Sequence, residues 1–172
     1  LAPDAVAAKV AALRAVPDAE LCFGPRVNTY LDDALPHLPE PAHPLRGPES
    51  AVDQPLAMLT GCRFIISSVL IARHRVVAAG GFEEALRGAE DYRLWARLAH
   101  EGIKAIAVDR PLVQRRLGAD SLSFRPAAGQ PWEVFARMHV IADCLQRPDL
   151  WRTAWTMLLF TRTWPDWRAT CD

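Results

Sequence analysis

The residues of this chain best placed to do chemistry are the adjacent acids Glu90 and Asp91. They open a stretch, residues 90–101, with no proline, glycine or β-branched side chain, in which Leu94, Trp95 and Leu98 recur at the spacing of one helical face. Asp91 precedes them by three, four and seven positions, so its carboxylate shares that face, whereas Arg93, Arg97 and Glu101 point elsewhere. An acid in the first turn lies near the positive end of the helix dipole, stays ionised, and sits at the edge of whatever the face packs against. Two readings stand side by side. In one the pair only caps the free amides of the first turn; in the other Asp91 is a general base facing a bound hydroxyl. The remaining chemistry-capable residues form no pattern of comparable content. Ser67 lacks a Gly-x-Ser-x-Gly setting. His37 and His43, without an acidic or sulfur companion, read as a solvated loop, and Asp32-Asp33 as a solvated loop pair. Cys22, Cys62, Cys144 and Cys171 are far apart and form no Cys-x-x-Cys pair, which indicates neither a zinc site nor a disulfide framework and fits a reducing cytoplasm.

The elements that must position Asp91 follow from hydrophobic period and from glycine and proline punctuation. Residues 5–15 predict an amphipathic helix with Val6, Val10 and Leu13 on one face and Lys9 and Arg14 toward solvent. Residues 20–23 read as a short buried strand, broken by Gly24-Pro25. Residues 26–55, with prolines at 36, 39, 41, 44, 48 and 55, read as one long loop. The apolar run of residues 64–71, within 61–74, predicts a strand covered on both faces. Residues 75–79 give a helical turn that stops at Gly80-Gly81, and Gly102 closes the central helix. Residues 103–108 and 112–117 alternate as strands on either side of an Asp109-Arg110-Pro111 turn. Beyond Pro131 the chain turns tryptophan-rich and helical. Residues 132–145 are expected to face inward through Val134, Phe135, Met138, Ile141 and Ala142; residues 150–160 carry a stripe of Trp151, Trp155, Leu158 and Leu159. That stripe is expected to pack against its own protein, with a membrane surface or a partner as the alternative.

The order of these pieces, an apolar strand-like run at 64–72, Gly80-Gly81-Phe82, Glu90-Asp91-Tyr92, Leu94 to Leu98, then the strand at 103–108 and the stretch 111–123, resembles the acceptor half of family 2 glycosyltransferases of the GT-A type. The likeness spans residues 1–123 and is strongest over 61–123. It implies an α/β fold, a partial GT-A mixed sheet with flanking helices and a C-terminal helical tail: residues 1–126 as the acceptor-side half, 127–172 as the extension. It implies an inverting transfer of sugar from a nucleotide-sugar donor to a carbohydrate or lipid-linked acceptor hydroxyl, with Asp91 as the base. Glu90, Gly81 and Phe82 would shape the acceptor pocket. Many relatives carry an Arg-x-His where this chain has Arg115-Arg116-Leu117-Gly118, so the histidine is missing, while Arg115 or Arg116 remains able to meet a diphosphate. The Asp-x-Asp motif, with its divalent metal (Mg or Mn), would lie before Leu1, and no metal is expected on this chain alone.

Composition bounds the partners. The formal charge is zero, with 20 basic and 20 acidic residues, so no basic excess points to nucleic acid. Half of the 172 residues are apolar, enough for a real core. The chain opens on Leu1, shows no signal peptide and no apolar run long enough for a membrane span, and reads as a piece of something longer, cytoplasmic or peripheral at the inner membrane face. The alternative function is a non-catalytic glycosyltransferase-like module that binds a partner through its tryptophan-rich tail.

Overall fold

The computed structural model describes residues 1–35, 65–86, 88–121 and 132–161. The expectations for His37, His43, Cys62, Cys171 and the proline-rich segment concern residues outside these. Two compact units emerge, the first containing the described residues 1–35, 65–72 and 104–121, the second 73–103 and 132–161.

The first unit is built on β1 (Leu21–Phe23), whose three side chains are all buried. A short apolar strand between proline and glycine breakers can be covered on both faces only at the centre of a sheet. It pairs antiparallel with β3 (Leu70–Ile71), Leu21 opposite Ile71, and parallel with β4 (Ala105–Ala107), Leu21 opposite Ala105. Helix α1 (Ala5–Ala15) packs against it. A second pair, β2 (Arg26–Tyr30) and β5 (Val113–Leu117), runs parallel with Arg26 opposite Val113 and Tyr30 opposite Leu117. Among the described residues the result is a mixed α/β arrangement with a small mixed sheet, as the sequence implies.

Three expectations in this unit need correction. Helix α1 turns Ala5 and Lys9, one turn apart, inward and leaves Val6 57% exposed. The small alanine permits close approach, and the aliphatic stem of the lysine can be covered in place of a valine. Burial pushes the Lys9 ammonium pKa down, against the opposing effect of Cys22. Residues 26–30 form β2 rather than loop, because Val27, Thr29 and Tyr30 favour extended backbone and precede the first of the prolines at Pro36. The apolar run is not one long strand: Ile66–Ser68 is a 3-10 turn, and only Leu70 and Ile71 pair. Ser68 causes the break. Buried within the turn, it donates its hydroxyl to the Ile65 carbonyl at 2.8 Å, a local bond that competes with sheet pairing.

The second unit contains α2 (Arg73–Ala78), α3 (Glu90–His100), α4 (Trp132–Leu145) and α5 (Trp151–Thr161). Helix α3 is its core, with Tyr92, Leu94, Trp95, Ala96, Leu98 and Ala99 all buried. Its C-terminus closes as the sequence predicts. Gly102 adopts φ 78°, its N–H donates to the Ala99 carbonyl, and that of Ile103 to Leu98 at 3.0 Å. This is the Schellman arrangement, and its accompanying apolar contact pairs Leu98 with Ile103, both fully buried.

Helix α4 packs on α3, and α5 on α4. The inward faces differ in part from expectation, Ile141 being buried as expected and Ala142 exposed. In α4 they are Ala136, Arg137, Val140, Ile141 and Cys144, with Phe135 and Met138 exposed; in α5 they are Ala154 and Met157, with Trp151, Trp155 and Leu159 exposed. Alanine at the contact lets two helices approach closely, and the bulky rings are displaced outward. Among the described residues no helix is long and apolar enough to cross a membrane.

Candidate functional site

The turn and helix singled out by sequence meet within the second unit. Gly80 and Gly81 take φ of 83° and 69°, a left-handed pair that ends α2 and that side chains with a Cβ adopt only under strain. A Cβ on Gly80 would press on Arg97 Nη1 at 3.3 Å, whereas one on Gly81 would meet nothing within 4 Å. Gly81 therefore faces open space. Phe82, 43% exposed, sets its ring edge-on against Trp95, with centroids 6.3 Å apart and planes at 79°.

Successive residues of α3 hold this turn. Arg97 donates to the Gly81 carbonyl at 2.6 Å. Arg93, which is buried, pairs with Glu83 at 3.3 Å and with Asp143 of α4. Glu83 also lies 3.8 Å from His139 Nδ1. Arg93 and Arg97 were expected to point away from the packed face, and the correction is physical. The loop that α3 covers returns a carbonyl and a carboxylate to it, so the guanidinium groups find acceptors inside the fold. A cation over a ring adds to the same face, with Arg137 5.0 Å from the Tyr92 centroid.

Asp91 sits in the first turn of α3, partly exposed, and its Oδ1 accepts the Tyr92 N–H at 2.7 Å. The capping role is thus present in the structure. The residue before the acids, Ala89, adopts φ 58°, a left-handed conformation unusual for alanine, and offers no side-chain cap. Gly88 packs tightly: a Cβ there would fall 3.1 Å from the Trp132 ring, which would have to yield. Glu90 is partly exposed beside Asp91.

At the end of α3, His100 and Cys144 form a contact that sequence reading missed. The Cys144 sulfur lies 3.5 Å from both ring nitrogens. Burial holds the His100 pKa down at about 4, helped by the Arg147 guanidinium, whose Nη1 donates to the His100 carbonyl. Burial, together with Asp143, pushes the Cys144 thiol up to about 11. The pair is a neutral imidazole beside a neutral thiol, the opposite of an activated nucleophile.

Arg115 and Arg116 belong to β5 in the first unit, Arg115 half-buried and Arg116 exposed. Arg116 lines a hollow of about 590 Å³ with Leu1, Val27, Leu112 and Gln114, and Gln114 donates to the Thr29 hydroxyl at 2.9 Å. Asp32 and Asp33 are exposed, and Asp32 accepts the Ala34 N–H in a local turn. Among the described residues no group of three or more His, Cys, Asp or Glu side chains could hold a metal ion. The described part of the chain thus offers no donor set for the metal that the resemblance implies. Compared with known proteins, the chain matches no family model, no curated protein and no solved structure.

Proposed function

We propose that this chain is the acceptor-side, base-bearing part of an inverting glycosyltransferase of the family 2, GT-A type, whose nucleotide-binding half, with Asp-x-Asp and its metal, belongs to sequence preceding Leu1. The observation that carries this reading is the turn clamped on α3. Gly81 borders open space, Phe82 is exposed beside it, and both are tied by Trp95 and Arg97 to the helix that bears Asp91.

In this mechanism Asp91 takes the proton of the acceptor hydroxyl. The acceptor oxygen forms its bond to the anomeric carbon as the bond to the nucleotide diphosphate breaks, and the leaving group keeps the electron pair. Asp91 ends as the carboxylic acid and the configuration at carbon inverts. Such a base contributes roughly a hundredfold to ten-thousandfold in rate.

The test is turnover by the full-length protein over a panel of nucleotide sugars, repeated with Asp91→Asn. Asparagine can still accept the Tyr92 N–H through its side-chain oxygen, so the cap survives while the base is removed. The expected result is unchanged donor binding with turnover reduced at least a hundredfold. Unchanged turnover would leave Asp91 with its capping role alone.

A further inference from the structure

The chain between α2 and α3, of which residues 79–86 and 88–89 are described, is held by α3 on one side and by α4 on another. Trp132, His139 and Asp143 follow one another along α4 at spacings of seven and four, which places them on one face of the helix. That face meets the connection at two points. Near its end Trp132 packs on Gly88, three residues before Asp91, so closely that a Cβ on the glycine would lie 3.1 Å from the ring. Near its start the contact is ionic. Asp143 pairs with Arg93, Arg93 Nε donates to Glu83 Oε2 at 3.3 Å, and His139 Nδ1 lies 3.8 Å from the same oxygen. The Arg93 side chain is 8% exposed, so its charge depends on both acids for compensation. A guanidinium is planar and its donors leave it in fixed directions, so the partner of Nη1 decides where Nε points. Asp143 takes the first, and Glu83 receives the second.

We infer that α4 is a positioning element of the site proposed above, with Asp143 and Arg93 as positioning residues. Through them the first helix after Pro131 fixes Glu83 on α3 and, with it, the adjacent Phe82 and Gly81. The C-terminal extension is then part of the site rather than an appendage to it. That the fixed turn receives an acceptor rests on the function proposed above; that α4 fixes the turn does not.

The test is amide hydrogen exchange of the full chain followed by NMR. The reporters are the amides of Gly81 and Leu86, which donate to the Val76 carbonyl at 2.9 Å and the Glu83 carbonyl at 3.1 Å. The reference is the Ile103 amide, bonded to the Leu98 carbonyl at the other end of α3. Asp143→Ala should speed exchange at both reporters about tenfold and leave the reference within about twofold, and Asp143→Glu should restore protection. Asp143→Asn, which keeps the size of the side chain and removes its charge, gives the same reading should the alanine variant fail to fold. Unchanged exchange at the reporters overturns the inference, as does an equal rise at all three amides, which would be a global loss of stability. In turnover with nucleotide sugars and octyl glycosides as acceptors, Asp143→Ala should raise the KM for acceptor about tenfold with kcat held within about twofold. A lowered kcat at unchanged KM would give Asp143 a purely structural role and overturn the inference. Reporters that respond to Asp143→Ala while Asp91→Asn turns over normally keep the hold of α4 on the turn and remove the glycosyl-transfer reading alone.

Discussion

Burial of His100 and Cys144 makes the stability of the second unit depend on pH. His100 is held neutral by burial, with a folded pKa of about 4 against an ordinary 6.5. The unfolded chain therefore takes up the proton first as pH falls. Stability from this group is complete above pH 6.5 and drains away as pH drops toward 4. A gap of about 2.5 pH units corresponds to about 3 kcal/mol at the acid end. Cys144 sets the other limb with opposite sign. Its folded pKa of about 11, above the ordinary 9.0, favours the thiol, so its contribution is complete below pH 9 and lost as pH rises toward 11. The perturbation is His100→Gln, which keeps a neutral polar side chain and removes the titration. Urea unfolding should be followed at several pH values between 4.5 and 8, using emission of Trp95, which is 2% exposed in the fold and becomes hydrated on unfolding. Wild-type stability should fall below pH 6.5 more steeply than that of the variant, and their difference should approach 3 kcal/mol near pH 4. Taking the difference removes the carboxylates and the other histidines, which titrate in both proteins. Parallel curves, or an NMR titration placing His100 near 6.5, would refute the reasoning.

The buried ion cluster gives an ordering rather than a single number. Arg93→Met removes the buried cation and leaves Glu83 and Asp143, which reach solvent, at a cost of about 1 kcal/mol; Glu83→Gln with Asp143→Asn strands a guanidinium that is 8% exposed and should cost about 3 kcal/mol. Denaturant midpoints of the two variants check the order, and the reverse order would mean that the acids are held by something other than Arg93. Ala89→Gly should raise stability by about 1 kcal/mol, because glycine adopts φ 58° without the Cβ conflict. Thermal unfolding measures it, and a loss would show that the alanine methyl is worth more in packing than its strain costs.

What was legible in the sequence was local. The span of α3 was legible because no breaker interrupts residues 90–101 and Gly102 stops it, and the turn before it because two adjacent glycines leave little else to form. The position of β1 was legible from three apolar residues between Pro17 and Gly24. What was not legible depends on partners distant in sequence. Arg93 looked like a solvated position because its acids lie 10 residues before it and 50 after it, at spacings that no periodicity reports. The faces of α4 and α5 were misread for a related reason. Apolar spacing shows that a helix is amphipathic but not which stripe meets a neighbour, and here the small residues Ala136 and Ala154 decide the contact while the tryptophans remain outside. The same distinction applies to the candidate site. Residue types single out Asp91, Gly81 and Phe82, but only the fold supplies Trp95 and Arg97, whose contacts keep that turn on the helix of the acid.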